Sequence, residues 1–137
     1  MLSASAGELG ESALQREAVL IRNVRQNDGV TIVELEGRFD AASASGVRDQ
    51  LHRLIEQGRS KLVLNLADME FIDSAGLGAL VSCLRRAAAD GGDLRLAEVP
   101  AFCRSIFELT RLTRVFDVGQ SETEAVAALE EGSQTSF

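Results

Sequence analysis

Residues 62–66 read Leu-Val-Leu-Asn-Leu, a short run that is apolar on both parities apart from one Asn. A strand with one wet face alternates polar and apolar residues. A run without that alternation suits a central strand covered by structure on both sides. Its flanks supply the cover. Upstream, Val47, Leu51, Leu54 and Ile55 fall at i, i+4, i+7 and i+8, one helical stripe, with Ser43 placed to cap its start and Gly58 placed as a C-cap glycine. Downstream, Leu77, Leu80, Val81, Leu84 and Ala88 mark a second helix that ends at Gly91-Gly92.

The remaining elements follow the same logic. Residues 19–24 and 30–36 read as two strands joined by an Asp28-Gly29 turn, a hairpin. In the second strand Val33 and Leu35 share one face, Glu34 and Glu36 the other, and Gly37 is expected to end it. Residues 94–97 form another short strand. Pro100 suits the first turn of a third helix whose apolar stripe is Phe102, Ile106 and Leu109. Residues 115–118 are expected as an edge strand. Ser121 and Glu124 make a capping-box pattern ahead of a last helix that buries Val126 and Leu129. The order β-β-α-β-α-β-α-β-α predicts an α/β domain. Strand–helix–strand crossovers pair strands in parallel, and the hairpin makes the sheet mixed. The domain is expected over residues 18–131, between a flexible arm at 1–17, rich in Ser, Ala, Gly and Glu, and a polar tail at 132–137.

Charge and composition narrow the function. Lys and Arg number 14 against 21 Asp and Glu, a net charge of -7. Nucleic-acid binders need concentrated positive charge, and anionic lipid headgroups repel an acidic surface, so a protein partner is expected. No apolar run approaches the roughly 20 residues of a membrane span, and the N-terminus lacks the basic and apolar regions of a signal peptide. The expectation is a cytoplasmic protein with no membrane insertion. Cys83 and Cys103 are then reduced, and with His52 as the single histidine they make no zinc pattern; both read as small buried hydrophobes.

The chemically informative stretch is residues 71–78, Phe-Ile-Asp-Ser-Ala-Gly-Leu-Gly. Asp73 and Ser74 are both good N-cap residues at the start of the second helix. Unpaired backbone N–H groups and the helix dipole favour an anion there, so a phosphate on Ser74 would sit where donors point. Gly76 and Gly78 would leave the surface open to a partner. Taken by themselves the residues fit a plain cap better, since a capping Ser after an Asp is usually only a cap. Asp40, after Gly37-Arg38-Phe39, has two readings as well: a loop at the same sheet edge as Ser74, or a local Asx turn leading into the Ser43 helix. Catalysis is poorly served. Asp73-Ser74-Ala75-Gly76 is no Gly-x-Ser-x-Gly elbow, and the one candidate base, His52, lies within the first helix between Leu51 and Arg53, expected to face solvent. Neither a phosphate loop nor a dinucleotide fingerprint is present. No enzymatic activity, metal or cofactor is expected.

Gly37-Arg38-Phe39-Asp40, Ser43-Ala44, the run 62–66 and the stretch 71–78 together resemble the sulfate transporter and anti-sigma factor antagonist (STAS) domain. Within that superfamily they are similar to the bacterial anti-sigma factor antagonists. Phe107-Glu108-Leu109-Thr110 with Val115-Phe116 is similar to the family's last segment, and the likeness spans about residues 19–129. The resemblance implies a STAS-like mixed sheet with flanking helices and a regulatory role. In its unphosphorylated state such a protein binds an anti-sigma factor that is also a serine-protein kinase, and so frees a sigma factor. The kinase phosphorylates the Ser after the Asp, here Ser74, and breaks the complex. A metal-dependent PP2C-type serine phosphatase resets it, and ATP and metal belong to these partner enzymes. The implied partner-binding residues are Asp40, Asp73, Ser74, Ala75, Gly76, Leu77 and Gly78. The alternative is a constitutive STAS adaptor or scaffold subunit, as in a lipid-transport ABC complex or a stress-signalling assembly, which needs no hydroxyl at 74. Two departures stand out: Ala75 where many members have a second Ser or Thr, and Arg111 where a Gly often ends the third helix.

Overall fold

A computed structural model describes residues 21–135, with side chains through residue 130. The arm at 1–17, the first residues of the strand expected at 19–24, and the last two residues lie outside that range. The elements are β1 (Ile21–Asn27), β2 (Val30–Phe39), α1 (Ala44–Glu56), β3 (Lys61–Ile72), α2 (Ser74–Ala89), β4 (Asp93–Ala97), α3 (Ala101–Leu109), a short 3-10 turn (Leu112–Arg114) and α4 (Glu122–Thr135). The sheet order is β1-β2-β3-β4. β1 and β2 are antiparallel across the Asp28-Gly29 turn, whose φ values of 52° and 83° are those the tight hairpin turn demands. β2–β3 and β3–β4 are parallel, so the sheet is mixed as expected.

β3 is the central strand and is covered on both sides. Leu62, Leu64 and Leu66 enter a large core with Val47, Leu51 and Ile55 of α1, Leu80 and Cys83 of α2, and Cys103 and Phe107 of α3. Val63 turns the other way, into a smaller cluster with Val30, Ile32, Ala97 and the α4 residues Ala125, Val126 and Leu129. β2 alternates between the same two clusters, Val33 and Leu35 in the large one, Val30 and Ile32 in the small one.

Several expectations need correction. Gly37 does not end β2: the chain passes it at φ 99° with shifts in register on either side and continues to Phe39, while β3 runs beyond the apolar run 62–66 to Ile72. Pro100 stands just before the first turn of α3, as its N-cap. The apolar stripe read on α3 is rotated. Cys103 and Phe107 are the buried pair, Ile106 is half-buried, and Phe102 and Leu109 are exposed, Leu109 at 83%. Residues 115–118 form no strand. Arg111 adopts the left-handed conformation (φ 63°) and leads into the 3-10 turn, Phe116 packs edge-on against Phe107 with ring centroids 5.8 Å apart, and the Asp117 carboxylate accepts the Gly119 N–H at 3.0 Å. The segment is thus committed to turns, and one backbone bond, Glu98 N–H to the Gln120 carbonyl, ties its end to the sheet. The capping box forms as expected: Ser121 N–H donates to Glu124 Oε1 (2.8 Å) and Glu124 N–H to Ser121 Oγ (3.1 Å). The helix it opens runs past residue 131 to Thr135.

Candidate functional site

β2 and β3 are hydrogen-bonded side by side through the pair Phe39–Ile72, and both chains then leave the sheet at the same end. The Asp73 N–H donates to the Phe39 carbonyl at 3.2 Å, which locks the two exits together. The Asp40 loop and the Asp73-Ser74 turn are therefore neighbours.

Asp73 is the N-cap of α2, with extended backbone (φ -122°, ψ -171°). Its Oδ1 accepts from Ala75 N–H (2.9 Å) and Gly76 N–H (3.1 Å), and its carbonyl accepts from Leu77 N–H (2.9 Å). Ser74 follows as the first helical residue and is exposed. This arrangement corrects the electrostatic expectation. Two of the helix donors that a phosphate on Ser74 would need are already occupied by the carboxylate of Asp73. Gly76 is corrected too. It is buried, and a Cβ there would collide with the Phe39 carbonyl oxygen and lie 3.0 Å from the Phe39 ring carbon Cγ. Its role is close helix-to-strand packing, whereas Gly78 is exposed with open space about it. Ala75 is half-buried and Leu77 buried, both against the large core.

Both readings of Asp40 hold at once. Its Oδ1 accepts the Ala42 N–H at 3.0 Å, an Asx turn, and its position beside Asp73 puts it at the shared edge. Ser43 precedes α1 but caps none of its amides with its side chain. Its buried hydroxyl instead donates to the Arg38 carbonyl (2.8 Å) and accepts from the Asp40 N–H (3.1 Å), stiffening the loop. The residue that the sequence did not single out is Arg38. Its guanidinium lies over the Phe71 ring, 4.2 Å from the centroid, and its Nε is 3.5 Å from Asp40 Oδ2. The pairing Arg38–Phe71 follows two register shifts in β2–β3, so no regular count along either strand reveals it.

Among the described residues, no histidine stands beside Ser74 to serve as a nucleophile's base. His52 is half-buried, not free in solvent, and its Nε2 lies 3.4 Å from the hydroxyl of Ser82, two helical turns along α2 from Ser74. Cys83 and Cys103 are free and fully buried, and burial pushes their thiols up to about 12 and about 11, so neither is a nucleophile near neutrality. Among the described residues no cluster of His, Cys, Asp and Glu could hold a metal, and no helix is long and apolar enough to cross a membrane.

The chain thus has a mixed four-stranded sheet with an Asp-capped helix carrying an exposed Ser beside the β2 exit, and comparison with known proteins gives its family. The model of the STAS domain matches residues 22–125, and the chain belongs to that family. It is 32% identical over 96 residues to the anti-sigma-B factor antagonist of Bacillus subtilis, covering 70% of this chain and 87% of that one. It is 27% identical over 103 residues to the anti-sigma F factor antagonist of Paenibacillus polymyxa, covering 74% and 88%. Its fold matches that of the Bacillus cell fate determinant SpoIIAA in the phosphorylated form, with a TM-score of 0.61 at 21% identity over 77% of this chain and 96% of that one.

Proposed function

We propose that this protein is an anti-sigma factor antagonist acting in the cytoplasm, with residues 18–131 as its STAS domain, and that phosphorylation of Ser74 switches it. Unphosphorylated, it sequesters an anti-sigma factor that is also a serine kinase. That kinase moves the γ-phosphoryl group of ATP onto Ser74 Oγ; ADP leaves, the hydroxyl proton is lost, and the complex separates. A PP2C-type phosphatase hydrolyses the ester and restores the hydroxyl. The chain itself performs no chemistry, and ATP and metal belong to its partners. The partner-facing surface is Asp40, Asp73, Ser74 and Ala75 with Gly78, while Gly76 and Leu77 hold the helix beneath it.

The observation that carries this reading is the contrast at one turn. Ser74 is exposed, yet the backbone on both sides of it is held by Asp73, Phe39 and the packed Gly76. A hydroxyl offered on a rigid ledge suits a modification read by a partner. The names of the relatives supply the class of partner. The test is incubation with the host's anti-sigma kinase and ATP, followed by mass spectrometry of the peptides. One phosphate on Ser74, absent in Ser74→Ala, is expected. Modification elsewhere, or none, would favour the constitutive adaptor.

A further inference from the structure

We propose that Arg38 is the built-in counter-ion for a phosphoryl group on Ser74, swinging from Asp40 to the phosphate when the ester forms. This rests on the reading that Ser74 is the residue that carries phosphate. The need for a cation comes from the cap. Asp73 Oδ1 already takes the Ala75 and Gly76 amides, so the helix start cannot give a dianion its usual set of donors. Asp40 and Asp73 add negative charge on the same edge, and a phosphoserine brings about -1.5 to -2 more.

Arg38 is placed to meet that charge. It pairs with Phe71 in the β2–β3 register, and Ser74 is three residues further along, so up to about 11 Å of chain at right angles to a strand spacing of about 5 Å puts their Cα atoms up to roughly 12 Å apart. A long arginine and a phosphoserine side chain can close that distance between them. The guanidinium is half-exposed, with its side chain 56% accessible, so it keeps free N–H donors. Its backbone is held, because Ser43 Oγ donates to the Arg38 carbonyl, and the Phe71 ring gives the guanidinium a face to slide on. The contact it makes with Asp40 is 3.5 Å from Nε, longer than a good charge-assisted bond, and the fork geometry of arginine suits phosphate oxygens better. Moving to the phosphate leaves the Asp40 carboxylate unpaired at the partner-facing edge. Phosphorylation would then alter two partner contacts at once.

The experiment installs phosphoserine at position 74 of the full chain during translation, without any kinase. Phosphorus NMR then follows the second ionisation of the phosphate with pH in the wild type, Arg38→Gln and Arg38→Lys. Asp40 and Asp73 are present in all three, so differences report position 38. The wild-type phosphate is expected to be the stronger acid, by about three- to tenfold in acid constant over Arg38→Gln, with Arg38→Lys between them. Superimposable titrations of wild type and Arg38→Gln overturn the proposal. So does loss of anti-sigma factor binding by unphosphorylated Arg38→Gln with an unchanged phosphate titration, which would make Arg38 a direct partner contact. If Arg38→Gln fails to fold, the comparison of wild type with Arg38→Lys decides, equal acid constants counting against the proposal. A failure of the kinase to modify Ser74 would instead sink the reading under Proposed function and leave these titrations standing.

Discussion

The two faces of the sheet are closed in different ways. On one, α1, α2 and α3 bury a continuous apolar core in which Leu51, Leu62, Leu64, Leu66, Leu80 and Phe107 are wholly inaccessible. On the other, among the described residues, α4 brings Ala125, Val126 and Leu129 against Val30, Ile32, Val63 and Ala97. Polar contacts make up the difference. Arg25 binds both Glu34 (2.9 Å) and Glu122 (2.6 Å), Asn65 Nδ2 donates to Glu122 Oε2 (3.3 Å), and the Glu122 N–H donates to Glu98 Oε2 (2.8 Å). Exposed ion pairs contribute little, typically under about 1 kcal/mol each, whereas a buried leucine contributes about 1.5–3 kcal/mol. Ser74 rides on the helix of the stronger face. A charge added there should change the surface while the fold stays intact, and α4 should be the first element to loosen.

Gly76→Ala tests that hierarchy most severely. The new methyl meets the Phe39 backbone, which cannot move without disturbing the strand ends, so a loss of about 1–3 kcal/mol or more in denaturant unfolding is expected. Ser121→Ala removes one half of the α4 capping box and should cost about 0.5–2 kcal/mol, with amide exchange faster in α4 than in α2. If the cap variant proves costlier than Gly76→Ala, the ranking of the two faces is reversed. Arg111→Gly should raise the melting temperature slightly, gaining about 0.5–1 kcal/mol by relieving the left-handed backbone at an exposed position. Unchanged or lower stability would mean that the arginine side chain has a role in that turn.

Alkaline pH gives the smallest effect near neutrality. Burial raises the folded thiols of Cys83 and Cys103 from 9.0 to about 12 and about 11. The unfolded chain therefore releases these protons first, and stability should fall as pH rises above 9. The fall should be shallower in Cys83→Ala, and equal slopes would show that the thiol is not sealed in the core.

How much of this the sequence disclosed depended on the kind of pattern. Leu62 to Leu66 revealed the central strand because burial on both faces removes alternation. Ser121 and Glu124 revealed the start of α4 because the cap is local. The face of α3 was misread because Phe102, Ile106 and Leu109 match a helical stripe as well as Cys103 and Phe107 do, and spacing cannot tell which pair meets the core. The missing strand at 115–118 has a similar cause: β-branched residues promise a ladder, but the Phe107–Phe116 contact and the Asp117 turn take the chain elsewhere. At the site, Asp40, Asp73 and Ser74 stood out as residue types. What Gly76 packs against, and what Arg38 stacks on, depended on a register with two irregularities.

The central claim is that a phosphate on Ser74 breaks partner binding on an unaltered fold. Calorimetric titration of the anti-sigma factor against the unmodified and Ser74-phosphorylated protein, with thermal melts of both, addresses it most directly. A desolvated and poorly paired charge at an interface costs about 2–5 kcal/mol, so binding should weaken roughly 30-fold to several-thousand-fold while the melting temperature stays close to that of the unmodified protein. Ser74→Ala should bind like the unmodified form, and Ser74→Asp should fall between. Equal affinity of the two forms, or a collapse of the melting temperature on phosphorylation, would contradict the account.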